Sequence, residues 1–292
     1  MSMQFSRIVS AQTRGMGLLS VKSIDLHQFG EQASPVALLD DFSVNGAPFG
    51  PHPHAGFSAI TYVFEDSPSA LRSRDSLGHD LTIHPGGIVW LQAARGAMHE
   101  ETPAENGCAL KGAQIYVNLT AKNKLAAPQT FWLEAGDIPE VSTDEGDRVR
   151  VLVGSYGDVS SSMVPVEPFT LLDAHLHEEI SFDLQDGHNA VVYVRDGSML
   201  VCGDGREQLV TRGAALAMSG TGEIKFHAVR PTQILVLSGP AIHEPVFADG
   251  PFIMNEPAQI AEAMVRYRAG EMGYLASRQR VGVHIDTGIA SR

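Results

Sequence analysis

Two short segments of this sequence carry side chains that bind metal ions, one residue apart in each segment. The first pair is His52 and His54, and the second pair is His99 and Glu101. Alternate residues of a β-strand point to the same side, so each pair projects from one face of its strand, while Glu100 points the other way. If the two strands lie side by side in a barrel, three imidazoles and one carboxylate converge on one point. The spacing therefore predicts the ligands of a single metal ion.

A single His-x-His pair is more often structural than a metal ligand, and this chain contains 12 histidines. The His-x-Glu pair that follows the first pair, across short strands and glycine turns, favours the metal site. His175 and His177 form a competing pair. Leu172, Ala174 and Leu176 have the opposite parity and are expected to face a core, which turns these two histidines outward. No His-x-Glu pair follows them, so we expect no metal site there.

The elements that must position these ligands are predicted to be strands. Residues 57–64 are rich in β-branched and aromatic side chains, and 85–87 (PGG) force a turn. Many short segments of this kind, without helical periodicity between them, indicate an antiparallel barrel or sandwich. The acidic, turn-rich stretch 134–148 is expected to join two such halves, which gives a domain at 1–140 and another at 141–292.

One helix is predicted near the end of the chain. Between Pro257 and Ala269, the side chains of Ile260, Met264 and Tyr267 recur at helical spacing on one face. Proline suits the first turn of a helix, and Gly270 follows the last residue as a stop signal. We interpret this segment as a packing helix.

The two halves resemble weak internal repeats. Residues 61–66 (TYVFED) are similar to 192–197 (VYVRDG), an offset that places Asp183 and Gln185 where the first half has His52 and His54. Downstream, Gly96 is followed three residues later by His99, as Gly222 is followed by Lys225, which places Lys225 at the position of the third histidine. The second half is therefore expected to keep the architecture without the metal.

Composition narrows the function classes. The chain has 292 residues and a formal net charge of −13, and this charge argues against direct binding to nucleic acid, which needs a basic surface. No apolar run approaches the roughly 18 to 20 residues of a membrane span, and the first residues lack a secretory apolar region. The two cysteines are too distant in sequence to suggest a disulfide framework. We expect a cytoplasmic protein.

Several motifs resemble the pirin family of the cupin superfamily. They are PHPHAGF, RDSLG, ARGAMHEETP, QIYVNL and GPFIMN, and they recur in the family's order over nearly the whole chain. The resemblance implies an all-β bicupin, with two antiparallel β-barrel (jelly-roll) domains plus a short C-terminal helix. It also implies one non-haem Fe²⁺ in the N-terminal barrel and no metal in the C-terminal barrel. The implied ligands are the four that the spacing selects: His52, His54, His99 and Glu101.

Three residues depart from the family's usual pattern. Ala55 stands where members usually have arginine, Ser58 where they usually have glutamate, and Tyr116 where tryptophan is common. None is a ligand position, so we expect metal binding to be retained. Ala55 and Ser58 are expected to alter the surroundings of the ligands or the pocket entrance, and with them the choice of substrate.

The resemblance implies a dioxygenase of the quercetinase type, with a flavonol and O₂ as substrates. Coordination would lower the pKa of the flavonol 3-hydroxyl, and Glu101 would serve as the catalytic base that accepts its proton. Dioxygen would then open the ring with loss of carbon monoxide. Mn²⁺, Ni²⁺, Cu²⁺ and Zn²⁺ remain alternatives to Fe²⁺, because the same ligand set accepts them.

Two other functions fit the same residues. Pirin also implies a redox-sensitive regulator, in which the state of the iron changes a surface that binds a protein partner. An acidic chain suits a protein partner better than DNA. The third possibility is a metal-binding protein without flavonol chemistry, for which turnover of quercetin would be slow and poorly saturable.

Overall fold

The computed structural model describes residues 2–15, 17–46 and 50–276 of the chain. Their secondary structure is almost entirely β. The strands as far as the middle of the chain are β1 (Gln4–Phe5), β2 (Val9–Ser10), β3 (Gln12–Arg14), β4 (Leu19–Ser23), β5 (Val36–Val44), β6 (His52–His54), β7 (Phe57–Val63), β8 (Leu71–Asp75), β9 (Asp80–Ile83), β10 (Ile88–Gln92), β11 (Ala97–Pro103), β12 (Leu110–Asn118), β13 (Gln129–Leu133) and β14 (Glu140–Ser142).

The remaining elements continue the same pattern. They are β15 (Arg148–Val153), β16 (Ser155–Tyr156), β17 (Val159–Ser160), β18 (Thr170–Leu176), β19 (Glu179–Leu184), β20 (His188–Gly203), β21 (Arg206–Thr211), β22 (Ala214–Ser219), β23 (Gly222–Pro240), β24 (Phe247–Asp249), β25 (Phe252–Met254) and the helix α1 (Pro257–Arg268). Two short 3-10 segments lie at Leu26–Ala33 and Ala135–Asp137. None of the helices among the described residues is long and apolar enough to cross a membrane.

The first half is a sandwich of two antiparallel sheets. A seven-stranded sheet has the order β13-β10-β7-β12-β5-β4-β3, and a four-stranded sheet has the order β6-β11-β8-β9. The Thr61 hydroxyl on β7 donates to the Glu101 carboxylate on β11, so the two sheets face each other across a shared interior. This is the first jelly roll.

The second half closes around its own apolar core. Its sheet contains ten strands, and the long strands β20 and β23 bend so that each contributes to both sides. β23 pairs with β19 through its first part and with β18 through its second part. Side chains such as Leu172, Val192 and Phe226 fill the enclosed space. The predicted bicupin architecture is confirmed.

Both ends of the chain cross from one half to the other. β1 and β2 pair with β22 of the second half, where Gln4 lies opposite Ser219. Near the other end, Phe252 forms a parallel bridge with Ala55 beside the histidine-bearing strand β6. The division at residue 140 stays a prediction. Strand pairing ties residues 4–10 to the C-terminal half and the segment around Phe252 to the N-terminal half.

The junction between the halves combines apolar packing with a buried polar network. The Tyr62 hydroxyl donates to Asp173 at 2.5 Å and accepts from Arg150 at 2.8 Å. All three side chains are buried. Burial of an arginine and an aspartate is tolerated when each finds hydrogen-bonding partners, as these do. The two halves are therefore joined by specific contacts across their interface.

The predicted C-terminal helix is confirmed and ends at Arg268. Glu256 and Gln259 form a capping box at its start, and the following proline needs no hydrogen-bond partner in the first turn. The helix buries Ile260 and Ala263. Tyr267 is 39% exposed, so the predicted apolar face is wrong at that residue.

Lys124 fixes the C-terminal segment to the first half. Its side chain is buried, and its ammonium group donates to the backbone carbonyls of Gly56 at 2.8 Å and Ile253 at 3.1 Å. It also donates to the amide oxygen of Asn118. One cation thus links the turn after β6 to the segment that covers this strand.

We predict that Lys124→Met lowers the free energy of unfolding by about 2 kcal/mol or more, because buried oxygens lose their donor. Lys22→Met is the matched control, since Lys22 pairs with Asp41 at the surface and its loss should cost less than about 1 kcal/mol. Urea unfolding midpoints of both variants measure the difference. Equal midpoints would contradict the role of Lys124.

Candidate metal centre

Antiparallel pairing of β6 with β11 brings the histidines together. His52 lies directly opposite His99, and His54 lies opposite Ala97. Gly56 follows β6 in a left-handed conformation with φ of 87°. A Cβ at this position would lie 1.8 Å from the carbonyl oxygen of Ile253, so only glycine lets the strand turn this close to the C-terminal segment.

The three imidazoles face one another through their Nε2 atoms. Nε2 of His99 lies 2.9 Å from Nε2 of His54 and 3.1 Å from Nε2 of His52. Nδ1 of His52 lies 2.9 Å from the carbonyl oxygen of Gly50, to which it can donate a proton. Such a bond fixes the tautomer that leaves an Nε2 lone pair free, as in many metal-binding histidines.

The electrostatics of the cluster favour neutral imidazoles. Burial lowers the pKa of His54 to about 3, helped by the nearby His52, and it lowers the pKa of His99 as well. A neutral imidazole presents a nitrogen lone pair, which is the form that binds a metal ion. A metal ion therefore fits this cluster.

The nitrogen separations also indicate a coordination geometry. With metal–nitrogen bonds of about 2.1 Å, nitrogens 2.9 to 3.1 Å apart subtend an angle of about 90° at the ion. Tetrahedral angles would need nitrogens about 3.4 Å apart at the same bond length. The two angles suit neighbouring positions of an octahedral ion, in which three imidazoles leave three positions for other ligands.

Glu101 lines the same cavity but stands apart from the imidazole cluster. The ligand nitrogens of the three histidines all lie within 4.8 Å of one another, and the Glu101 carboxylate falls outside that group. It lies 4.0 Å from Nδ1 of His99 and accepts hydrogen bonds from Thr61 at 2.6 Å and Ser73 at 3.4 Å. Its role as the fourth ligand stays a prediction.

The Glu101 carboxyl is tuned for proton exchange near neutrality. Burial raises its pKa to about 7, although the hydrogen bonds from Thr61 and Ser73 act in the opposite direction. A group with this pKa can accept or release a proton at physiological pH. The predicted catalytic base therefore has a suitable environment.

The metal-binding side chains line one end of a cavity of about 390 Å³. Tyr116 and Phe57 pack edge-on against His54, with ring centroids 5.4 and 5.1 Å away. Tyr116 lines the cavity, whereas Ala55 and Ser58 are buried outside it. The cavity is otherwise mainly apolar.

Sequence reasoning missed three residues that line the cavity or hold its ligands. Thr61 positions Glu101 from the opposite sheet, while Asp40 and Gln114 line the wall beside it. Thr61 and Gln114 stand at matching positions of paired strands on the face that bears the cavity. The sequence held one signal for Thr61. Alternation within residues 57–64 assigns Thr61 to the same face of the strand as Phe57, which is the face toward the cavity.

In the second half, the inward-facing side chains of the paired strands β19 and β23 are apolar. Phe226 lies opposite Ile180, and both side chains are buried. The predicted equivalents of the histidines, Asp183, Gln185 and Lys225, are exposed. The repeat alignment therefore assigns these three positions to the outward face of their strands, whereas the histidines of the first half face inward.

His175 of the competing pair belongs to a second group of possible metal ligands, together with Glu65 and Asp173. His177 is exposed, as expected. The His175 side chain is 35% exposed, and its Nε2 atom lies 3.4 Å from Glu65 of the first half and 3.7 Å from Asp173. Arg148 already pairs with Glu65, and Gln233 donates to Asp173, so these carboxylates have partners of their own.

Two jelly rolls, the first with a histidine cluster on its inner surface, define a bicupin with a candidate metal site. Comparison with known families agrees. The family described as Pirin matches residues 9–117, and the Pirin C-terminal cupin domain matches residues 171–273. The chain belongs to the pirin family.

Three relatives illustrate the range of similarity. A Pseudomonas aeruginosa protein named "Putative quercetin 2,3-dioxygenase" is 33% identical, covering 82% of this chain and 87% of its own. A pirin-like protein of Solanum lycopersicum is 31% identical, covering 93% of each chain. The crystal structure of a quercetin 2,3-dioxygenase from Acinetobacter baumannii superposes with a TM-score of 0.82 at 27% identity, covering 94% of this chain and all of its own.

We predict that the protein loaded with Co²⁺ has the weak visible absorption of six-coordinate cobalt, because the nitrogen spacing requires angles of about 90°. Absorption spectroscopy of the metal-free and cobalt-loaded protein tests this. Intense bands typical of tetrahedral cobalt would contradict the geometry.

We predict that Glu101→Gln stabilises the metal-free protein at pH 8 by about 1 to 3 kcal/mol. The pKa of Glu101 is about 7 in the folded protein and 4.5 in the unfolded chain. The stability that the protonated carboxyl contributes is fully present below pH 4.5. It is lost as the pH rises through 7, because the buried carboxyl must then ionise. Urea unfolding of both proteins should show that the gain in free energy of unfolding from Glu101→Gln is smaller at pH 5 than at pH 8. An equal gain at both would exclude ionisation as its cause.

Proposed function

We propose that this protein is a non-haem-iron dioxygenase of the quercetinase type, which cleaves flavonols with O₂. The observation that carries the proposal is the cluster of three imidazoles on the wall of a mainly apolar cavity of about 390 Å³. Cavities of a few hundred Å³ suit ligands of flavonol size. The names of the Pseudomonas and Acinetobacter relatives support the same reaction class.

The proposed cofactor is one Fe²⁺ per chain, held by His52, His54, His99 and Glu101. When bound, the ion supplies a redox-active Lewis acid at which the flavonol and dioxygen meet. An octahedral ion with these four ligands keeps two positions for them. The nearly right-angled spacing of the imidazole nitrogens is consistent with this choice.

The residues of the chain contribute positioning and proton transfer. Glu101 is the carboxylate of this site that would accept the proton of the flavonol 3-hydroxyl. Thr61 holds one carboxylate oxygen, so the carboxylate keeps its orientation. Tyr116 and Phe57 pack against His54 and fix the ring plane of this ligand. The apolar wall excludes water while the ring opens and carbon monoxide leaves.

We predict that His52→Ala removes iron and lowers quercetin-dependent oxygen uptake by at least about 100-fold, because one of three clustered ligands is lost. His177→Ala, at an exposed histidine far from the cluster, should leave both unchanged. Elemental analysis and an oxygen electrode, with protein reconstituted with Fe²⁺, make the measurement. Circular dichroism checks that both variants fold.

One iron per chain with no oxygen uptake on any flavonol would contradict the proposal. Such a result would favour the regulatory alternative, in which the metal state changes a surface for a protein partner. Undiminished turnover by the folded His52→Ala protein would show instead that the reaction occurs elsewhere.

A further inference from the structure

The floor of the cavity is one face of the seven-stranded sheet, and its side chains fall into rows. Pairing of β12 with β5 and of β5 with β4 sets these rows across the strands. Successive rows are two residues apart, which is about 7 Å along each strand. The rows thus divide the cavity into levels at increasing distance from the histidines.

The row level with Glu101 is polar. Gln114 lies opposite both Thr61 and Asp40, and Thr61 donates to Glu101. The Gln114 amide group already donates to the carbonyl of Ile60 at 3.0 Å. One carboxylate oxygen of Asp40, Oδ1, is buried without a hydrogen-bond partner among the described residues. A polar group of a substrate can therefore form a hydrogen bond with Asp40 at this level.

The next two rows are apolar. Phe42 lies between Gly112 and Val21, and its ring occupies the space that a larger residue at Gly112 would need. Beyond it, Val44 lies between Leu110 and Leu19. The backbone groups of these strands are used in sheet pairing. Among the described residues that line this end, no side chain offers a hydrogen bond.

A substrate that fills the cavity must match this order of levels. Its metal-binding edge belongs at the histidines, and the part that reaches the outer rows meets, among the described side chains, those of Phe42, Val44 and their apolar neighbours. A hydroxyl buried there loses its water and gains no partner, which weakens binding. A ring without hydroxyls gains from burial of its apolar surface.

We propose that the cavity selects flavonols whose 2-phenyl ring carries no hydroxyl group, with this ring lying along the rows of Phe42 and Val44. The inference rests on the proposed function for the orientation of the hydroxy-ketone edge toward the histidines. It goes further by naming the substrate class. Quercetin, which has two hydroxyls on this ring, is then a poorer ligand than its unhydroxylated counterpart.

The test is a series of flavonols that share the fused ring system and carry zero, one, two or three hydroxyls on the 2-phenyl ring. Calorimetry under anaerobic conditions gives Kd for each with the Fe²⁺-loaded protein. Kd should be about tenfold higher for the flavonol with one ring hydroxyl than for the flavonol with none. It should not decrease as further hydroxyls are added. Equal Kd values, or tighter binding of the hydroxylated rings, would overturn the proposal.

A variant provides a second, independent readout. Val21→Thr places one hydroxyl in the apolar row at nearly constant volume, and it should narrow the ratio of Kd values between the dihydroxylated and unhydroxylated flavonols by about fivefold or more. Val229→Thr makes the same change at an exposed position and should leave the ratio unchanged. An unchanged ratio in Val21→Thr would place the ring elsewhere and refute the assignment.

The two proposals fail in different ways. The expected order of Kd values without oxygen uptake on any flavonol would remove the dioxygenase function and keep the cavity's preference. Oxygen uptake with Kd values that do not depend on the ring hydroxyls would keep the dioxygenase and remove the preference.

Discussion

The close approach of three imidazoles is the constraint on which the rest of the site depends. Their Nε2 atoms lie about 3 Å apart, and burial lowers the pKa of His54 and His99, which favours the neutral rings that can bind a cation. The fold holds this arrangement because β6 pairs with β11 in a register that sets His52 directly opposite His99. A cation bound by these nitrogens would in turn stabilise the pairing of the two strands.

The support for this arrangement comes from distant parts of the chain. Lys124 and the segment around Ile253 hold the turn after β6 from outside. From inside, Thr61 holds the Glu101 carboxylate from the opposite sheet. Exchange of the chain ends between the two jelly rolls makes the first half depend on residues beyond 250. In the second jelly roll, the paired strands β19 and β23 bring two buried apolar side chains, Ile180 and Phe226, opposite each other.

The cavity combines a polar end and an apolar end on one sheet face. Alternation along β5 sends Asp40, Phe42 and Val44 to the same side, so successive side chains line successive levels. The step from a polar to an apolar level follows from one strand's sequence. The levels that a substrate would meet form only when β4 and β12 pair with β5 in this register, because their side chains complete each row.

The amino-acid sequence by itself determined the ligand-bearing segments and the fold class. The period of two in His52-x-His54 and His99-x-Glu101, with turns at fixed places, is a local property that needs no tertiary contact to be recognised. Tertiary structure decided what depends on strand register. It placed the Glu101 carboxylate outside the imidazole cluster, set His175 beside Glu65, and exposed the residues that the repeat aligned with the histidines. Register is set by pairing between distant strands, and a shift of one residue reverses which side chains face the interior.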